Sequence, residues 1–253
     1  MVKIVAIMGG PRKHGSTFQA VRTIENELKQ IEPDIEIEYI HLVDYHISPC
    51  RGCRACFDKG EASCPLKDDV PAIAAKLYGA DGVILSSPTY VGSMNGILKN
   101  LLDRLAYFCH RPAFHTKKAW IVTTVGSGGS FYTLLSMSLP LGSMGFSVVN
   151  KTGITTNTGA EVPVPVVYMG KIRKQAKGFV AAFHKPAKPT VSSLVSFRLN
   201  RKYYTGKKED SYDAQYWRAK GWLEPGKRYF YKARINPFKS MAAGVIGIFL
   251  TKI

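Results

Sequence analysis

Cysteine is scarce in this chain of 253 residues, and its distribution is uneven. Only five cysteines occur, and four of them, Cys50, Cys53, Cys56 and Cys64, lie within the stretch CRGCRACFDKGEASC. The fifth, Cys109, follows two aromatic residues and is predicted to be a packed thiol. Cysteines so few and so placed do not indicate a disulfide framework spread over the chain.

Long apolar runs are also lacking. The longest candidate, Ala242 to Leu250, is too short to span a bilayer. The first residues, MVKIVAIMGG, predict a short strand and a glycine turn rather than a secretory leader. We therefore expect a cytoplasmic protein in a reducing compartment, where stable disulfides are rare. The six histidines show no spacing typical of metal ligands.

Acidic residues are few in the last third of the chain. Residues 1–170 carry 16 lysines and arginines against 14 aspartates and glutamates, whereas residues 171–253 carry 19 against 4. Nearly all of the net charge of +17 therefore lies near the C-terminus. This predicts two parts: a near-neutral domain over residues 1–184, and a basic, aromatic-rich extension over residues 185–253 that opens with a proline-marked turn.

Cations and aromatic residues alternate in this extension, for example in RLNRKYYTGKK and KRYFYKARI. Such mixtures bind nucleic acid, the surface of a membrane, or an acidic electron-carrier protein. The alternative is that the aromatic residues pack against the first domain or a second subunit while the lysines stay solvated. The sequence favours this packing alternative, because runs of charge are most often solvated faces.

The four clustered cysteines have the spacing C-x2-C-x2-C-x7-C. Three thiols so close together, with a fourth one loop away, are typical of iron–sulfur clusters, and the pattern favours a 4Fe-4S cluster. Structural zinc is an alternative, because four thiolates suit tetrahedral zinc, although zinc modules generally use two separated C-x2-C pairs. Redox-active thiols without metal are a third interpretation.

Short β-branched runs alternate five times with segments of helical periodicity. Strands are predicted over residues 2–8, 35–42, 82–86, 119–125 and 146–152. Helices are predicted from about residue 16, from residue 68, and over residues 95–109, 131–141 and 166–184. This order predicts an α/β fold, a doubly wound five-stranded parallel sheet with helices on both faces, followed by the basic C-terminal extension.

In such sheets, ligands bind outside the carboxyl ends of the strands. The loop after the first strand, GGPRKHGST, offers Arg12 and the hydroxyls of Ser16 and Thr17 at the start of a helix, which suits an anion. It lacks the Gly-Lys-Ser/Thr ending of triphosphate sites and the G-x-G-x-x-G of dinucleotide sites. A terminal monophosphate fits better, and an ordinary capped turn is the alternative.

Two further loops leave the same edge of the predicted sheet. SSPTYVGSMNG offers Tyr90 for stacking on a flat heterocycle, and Pro88 stiffens the exit from the strand. VGSGGSF, which contains Gly126 and Ser127, approaches either the edge of a ring or a phosphate. Each loop is also compatible with a structural role, either a tyrosine that caps the core or a mobile glycine loop.

Together, these motifs resemble a known family. MGGPRKHGST resembles the GSPRKxGNT phosphate loop of the flavodoxin-like NADPH-dependent FMN reductases, and SSPTYVGSMNGILKNLLDR resembles their SPTYxxxxSxxLKxxxDR segment. Between them, CRGCRACFDKGEASCPLKDDV is similar to the compact cysteine motif of archaeal and clostridial iron–sulfur flavoproteins. The resemblance covers about residues 1–180, with the motifs in the family's order. Gly10 and Ser16 depart from the family, which often has Ser and Asn at those positions.

The resemblance implies a flavodoxin-like, FMN-binding domain over residues 1–184, with a cysteine loop at residues 47–65. It assigns the FMN phosphate to the first loop, with Gly10, Pro11, Arg12, His14, Ser16 and Thr17. It assigns the isoalloxazine ring to the second loop, with Pro88, Thr89, Tyr90, Gly92, Ser93 and Met94, and the third loop adds Gly126 and Ser127. The implied ligands of the 4Fe-4S cluster are Cys50, Cys53, Cys56 and Cys64. No catalytic side chain is expected, because hydride transfer to a flavin depends on stacking and orientation.

Three functions follow as expectations. The first is an FMN-dependent oxidoreductase that uses NAD(P)H to reduce a small acceptor, with the cluster as a one-electron relay. The second is an electron carrier fed by ferredoxin, and the third is a zinc-stabilised module that binds nucleic acid. A homo-oligomer is expected, and binding of nucleic acid or a membrane surface by the extension is not favoured.

Overall fold

A computed structural model of the chain describes residues 1–156, 162–206 and 210–250, without the side chain of Leu250. Its strands are β1 Lys3–Met8, β2 Glu36–His41, β3 Gly82–Tyr90, β4 Ser93–Met94, β5 Lys118–Val125 and β6 Ser147–Thr155. Its α-helices are α1 Ser16–Ile31, α2 Ala55–Asp58, α3 Val70–Gly79, α4 Gly96–Arg104, α5 Tyr107–His110, α6 Ser130–Ser143, α7 Met169–Phe183, α8 Val191–Gly206, α9 Tyr212–Ala219 and α10 Pro237–Leu250. Across these described ranges, none of the helices has the length and apolar character needed to cross a membrane.

Five strands form a parallel sheet in the order β2-β1-β3-β5-β6. This is the strand order of flavodoxin-like folds, in which the chain moves outward to β2 and then returns past β1 to β3. The two-residue strand β4 pairs antiparallel with the end of β3. The predicted fold class is confirmed, since the sheet is parallel, five-stranded apart from β4, and covered by helices on both faces.

Burial on both faces explains the composition of the central strands. β1 and β5 read as nearly continuous apolar runs, KIVAIM and KAWIVTTV, and almost every residue in them is buried. One core lies between the sheet and α3 to α6, and the other lies between the sheet and α1 and α7. Trp120 is fully buried, and its indole N–H donates to the Thr152 hydroxyl at 2.8 Å, so its polar atom is satisfied.

Several element boundaries differ from those predicted. β3 continues to Tyr90, beyond the predicted end at Ser86, because it pairs with β5 as far as Pro88 and then with β4. The helix predicted over residues 95–109 is divided into α4 and α5. The C-cap of α4, Leu105, has φ −95° and ψ 10°, and α5 then begins with two buried residues, Tyr107 and Phe108.

The C-terminal region, residues 185–250, has an aromatic core of its own. Phe197, Trp217, Trp222 and Phe230 are each at most 6% exposed, and their ring centroids lie 4.7 to 5.8 Å apart in the contacting pairs. This core also reaches the α/β region, residues 1–184, where the ring of His115 stacks on Phe230 at 4.6 Å. The aromatic residues of this core are therefore packed, whereas Phe238 and Phe249 of α10 are exposed.

His115 should make this junction sensitive to acid. Burial lowers the pKa of His115 from 6.5 to about 4, and the Pro112 carbonyl partly opposes the shift. As pH falls from 6.5 toward 4, the unfolded chain binds a proton that the folded chain resists, so the free energy of unfolding falls over this window. We expect His115→Phe to reduce that fall, as measured by urea unfolding at a series of pH values. His46→Phe, at an exposed histidine, is the control, and an unchanged pH dependence in His115→Phe would contradict this explanation.

Candidate functional site

Three loops meet at the carboxyl edge of the sheet and enclose a cavity of about 400 Å³. They follow β1, β3 and β5, which are neighbours in the sheet, so parallel pairing brings them to one edge. The chain reverses its direction across the sheet between β1 and β3, and such a point is the usual ligand site in this architecture. The residues that line the cavity are Gly10, Pro11, Arg12, Gly15, Ser16, Thr17, Pro88, Thr89, Tyr90, Thr124, Val125, Gly126 and Thr156.

The first loop gives this cavity a positive character. Gly15 is the N-cap of α1, and Ser16 and Thr17 of its first turn lie in the cavity wall. The start of a helix carries partial positive charge, and α1, which is described in full, has no acidic residue in its first turn. Arg12 adds a full charge, and none of the described lining residues is acidic. The arrangement suits an anion such as a phosphate.

Gly9 allows the first loop to lie this close to the second. A Cβ atom at Gly9 would lie 2.8 Å from the carbonyl oxygen of Ser86 and 2.8 Å from Cβ of Leu98. The backbone N–H of Gly9 donates to that same Ser86 carbonyl at 2.9 Å. The glycine is thus required where the first loop passes close to β3 and α4, and any side chain would push the loop away from them.

Two threonines connect α1 to β5 across the cavity wall. The hydroxyl oxygens of Thr17 and Thr124 lie 2.6 Å apart, and both residues are buried. One hydroxyl donates to the other, so the accepting hydroxyl keeps its own hydrogen for a ligand. Thr124 lies inside β5, and Thr156 lies just beyond the end of β6. Neither residue belongs to a loop motif that the sequence shows. Sequence reasoning therefore missed both.

The second loop is a tight hairpin between β3 and β4. Its turn residues, Val91 and Gly92, have φ angles of 50° and 72°. A β-branched residue rarely adopts positive φ, so Val91 is strained, and such strain is concentrated at ligand sites. The Thr89 hydroxyl lies 2.9 Å from that of Thr123 in β5, which ties the hairpin to the sheet. Tyr90 lines the cavity with a ring that is 43% exposed.

Most of the residues predicted to contact FMN are among those that line the cavity. The predicted residues outside the lining are His14, Gly92, Ser93, Met94 and Ser127. Met94 is packed in the core at 8% exposure, and the ring of His14 contacts Phe18 edge-on at 5.4 Å. The structure adds Gly15, Thr124, Val125 and Thr156 to the lining. The assignment of any of these residues to FMN stays a prediction.

A second cavity, of about 710 Å³, is lined by all four clustered cysteines. Cys50 and Cys53 are exposed, whereas Cys56 and Cys64 are partly buried, and all four are free thiols. Burial raises the pKa of Cys56 to about 11, and the charge of Arg111 opposes the shift. The thiol of Cys56 therefore holds its proton at neutral pH unless a metal displaces it.

The donor set of this cysteine cavity fits an iron–sulfur cluster, and it also fits zinc. In the described ranges, however, no three cysteine, histidine, aspartate or glutamate side chains are gathered closely enough to form a metal site. The four thiols surround a space rather than converge on a point.

Arg104, at the end of α4, fixes one part of the cysteine cavity. Its guanidinium pairs with Asp68, donates to the carbonyl of Ser48 at 3.0 Å, and lies 3.6 Å from the sulfur of Cys64. Burial alone would raise the pKa of Asp68, but hydrogen bonds from Arg104 and the Ser48 N–H hold it below its ordinary value. A fully charged ion pair is thus held beside one thiol.

Arg111 ties the cysteine loop to the C-terminal region. It donates to the carbonyl of Cys56 at 3.0 Å, pairs with Glu61 at 2.6 Å, and pairs with Asp213 of α9. The side chains of Arg111 and Asp213 are only 4% and 2% exposed. Because a buried charge is costly without its partner, Asp213 is the residue that allows Arg111 to remain in this position.

Further contacts reinforce the same junction. The hydroxyl of Tyr204 donates to Asp213 at 2.9 Å and lies 2.7 Å from Nδ1 of His110. The ring of His110 in turn lies against Phe57 of the cysteine loop, with centroids 4.5 Å apart. No motif predicted this junction, because Arg111 and Asp213 are 102 positions apart in the sequence.

Helix α4 connects the two cavities. It begins after the second loop, where the side chain of Asn95 accepts hydrogen bonds from the N–H groups of Ile97 and Leu98. It ends at Arg104, beside the cysteines. The helix has nine residues and is therefore roughly 14 Å long. The C-terminal end of this helix, Asp103 and Arg104, lines the cysteine cavity.

A sequence model of the family described as NADPH-dependent FMN reductase matches residues 2–160. The chain belongs to this family. The protein is therefore an FMN-dependent oxidoreductase. All residues that line the loop cavity and the cysteine cavity lie within the matched range.

Relatives within this family carry the name iron–sulfur flavoprotein. One from Archaeoglobus fulgidus is 36% identical over 172 residues, covering 66% of this chain and 81% of the relative. One from Methanocaldococcus jannaschii is 44% identical over 103 residues, covering 41% of this chain and 51% of the relative. The chain thus spans about half the length of that second relative. One from Clostridioides difficile is 29% identical over 195 residues, covering 76% of this chain and 84% of the relative.

Solved structures with a similar fold include oxidoreductases. An apo NADH:FMN oxidoreductase superposes with a TM-score of 0.54 at 23% identity, covering 72% of this chain and 90% of that protein. An oxidoreductase from Corynebacterium diphtheriae superposes with a TM-score of 0.54 at 17% identity, covering 73% of this chain and 97% of that protein. At these identities, the likeness concerns the fold.

Removal of Asp213 should loosen the junction between the cysteine loop and the C-terminal region. Asp213→Ala removes the buried carboxylate of Arg111 and leaves only the half-exposed Glu61 as its partner, so we expect the free energy of unfolding to fall by up to about 3–5 kcal/mol. Asp210→Ala is the matched control, because its exposed pair with Arg218 should contribute at most about 1 kcal/mol. Chemical denaturation measures both values, and limited proteolysis of residues 50–64 measures local opening. Equal effects of the two substitutions would contradict the buried-pair account.

Proposed function

We propose that the chain binds FMN in the loop cavity and uses NAD(P)H to reduce a small acceptor. One observation carries the proposal: a single cavity combines a helix N-terminus, Arg12 and several hydroxyls with the exposed ring of Tyr90. The positive, hydroxyl-rich part suits a phosphate, and Tyr90 with Pro88 suits a flat ring. Membership in the FMN reductase family supports the same ligand.

We also propose that Cys50, Cys53, Cys56 and Cys64 hold an iron–sulfur cluster, of the 4Fe-4S type by their spacing. The names of the relatives support this assignment, and so does the placement of all four thiols around one cavity. When bound, FMN exchanges electron pairs with a hydride donor, whereas a cluster carries single electrons. A guanidinium N–H of Arg104 lies 3.6 Å from the sulfur of Cys64, where it can donate to a thiolate ligand.

A second candidate function is that of an electron carrier fed by a ferredoxin-like protein. The exposure of Cys50 and Cys53 favours it, because a protein partner can approach the cysteine cavity directly. Anaerobic mixing with NADPH distinguishes the two functions. Bleaching of the visible flavin band without a mediator supports the reductase, and bleaching only after addition of reduced ferredoxin supports the carrier. The zinc-stabilised nucleic-acid module has no support from the family.

A homo-oligomer is consistent with the outer face of α6. Phe131, Tyr132 and Leu139 are 68%, 67% and 54% exposed on this helix, which begins directly after the third loop. Exposed apolar side chains at such density mark contact surfaces. We propose that two copies associate through this face, close to the loop cavity, and analytical ultracentrifugation tests the proposal.

The phosphate contact can be tested at Thr17. Thr17→Val keeps the shape of the side chain but removes the hydroxyl that lies 2.6 Å from that of Thr124. Loss of a hydrogen bond to a charged phosphate should raise the Kd for FMN by about tenfold or more. Thr23→Val on the same helix is the control, since its hydroxyl bonds the carbonyl of Gln19. Fluorescence titration measures the Kd values.

Riboflavin, which has no phosphate, separates this contact from a general loss of structure. Its affinity should be nearly the same in the wild type and in Thr17→Val. If both flavins lose affinity equally, the phosphate does not lie at the start of α1.

The cluster can be tested at Cys64. We expect Cys64→Ser, purified without oxygen, to lose most of its iron and acid-labile sulfide, because one of four thiolate ligands is missing. Cys109→Ser is the matched control, since Cys109 lies outside the cysteine cavity and should leave the iron content unchanged. Metal analysis and the visible spectrum report the result. Stoichiometric zinc without iron in the wild type would refute the cluster.

A further inference from the structure

The outer face of α10 is apolar and exposed. Phe238, Met241, Val245 and Phe249 follow the spacing of one helical face, and their exposure ranges from 50% to 77%. The opposite face packs inward, where Ala243 is fully buried. A surface helix normally turns its apolar side to the core, so an apolar side turned outward indicates a contact with another molecule or phase.

A basic trough lies beside this face. It is a cavity of about 1190 Å³ that also includes Met241 of α10, and none of its described lining residues is acidic. Its cations are Arg198, Arg201, Lys202, Lys227 and Arg228. Arg198 donates to the carbonyl of Ser240 and Arg201 to that of Glu224, both at 2.7 Å. These bonds orient the two guanidinium groups without neutralising their charge.

We propose that the trough and the outer face of α10 together bind the surface of an anionic phospholipid membrane. The apolar side chains of α10 would enter the boundary between headgroups and acyl chains, while the trough cations meet the lipid phosphates. The excess of 19 cations over 4 acidic residues in residues 171–253 adds attraction at longer range. In this arrangement α10 lies along the surface.

Charge and polarity disfavour other occupants. A second copy of the chain would bring two strongly basic regions together, which is repulsive. Nucleic acid would match the cations of the trough but would leave the side chains of Phe238, Val245 and Phe249 in water. An anionic bilayer satisfies the apolar face and the cations at the same time.

Flotation of the full chain with lipid vesicles tests the contribution of the apolar face of α10. We expect binding to vesicles of phosphatidylcholine with phosphatidylglycerol, weakened by salt, and little binding to phosphatidylcholine alone. Val245→Asp should lower the partition coefficient about tenfold or more, because a carboxylate would enter the apolar layer. Val167→Asp is the matched control, since Val167 is 81% exposed on the turn before α7 and should leave binding unchanged.

Charge reversals test the contribution of the trough cations. Lys202→Glu and Arg228→Glu should each lower binding to the anionic vesicles by about fivefold or more. Lys177→Glu, at an exposed lysine on α7, is the control and should have a smaller effect. Circular dichroism and thermal unfolding show that each variant is folded, and neither measurement depends on the flavin assignment.

Three results would overturn the proposal. The first is equal binding to neutral and anionic vesicles. The second is vesicle binding that Val245→Asp leaves intact. The third is absence of vesicle binding. Tight, salt-dependent binding of a DNA duplex would then assign the surface to nucleic acid, and a dimer that Val245→Asp dissociates would assign it to a second copy.

Discussion

Parallel pairing of β1, β3 and β5 is the constraint on which the loop cavity depends. Neighbouring strands lie about 4.8 Å apart, so the loops that follow them converge although they are far apart in the sequence. The first loop brings the start of α1 and Arg12, and the second brings Tyr90 on a strained hairpin. Gly9 permits their contact, because no larger residue fits against the Ser86 carbonyl. The chemistry of the cavity follows from where these strands end.

The cysteine loop depends on a different physical device, since its only α-helix is the four-residue α2. Two buried arginines hold it: Arg104 pairs with Asp68, and Arg111 pairs with Asp213. Such pairs specify geometry, because each charge is costly without its partner. Asp213 belongs to the C-terminal region, so that region has a structural task at the cysteine loop besides the surface that α10 presents.

Much of this architecture was predictable from the sequence, for physical reasons. The apolar runs of β1 and β5 and the glycine loop before α1 have short-range signatures, and so have the four cysteines. Thr124 joins the cavity only through strand register, which places it opposite Pro88 of β3. The pairing of Arg111 with Asp213 depends on tertiary docking, which no local pattern encodes. The packing of the aromatic residues of the C-terminal region into one core also depends on tertiary contacts.

The most direct test of the account is a crystal structure of the protein with FMN. The account predicts the phosphate at the start of α1, against Arg12 and the hydroxyls of Thr17 and Thr124, with the ring toward Tyr90. FMN bound in the cysteine cavity, or a loop cavity that stays without flavin at saturating FMN, would contradict it.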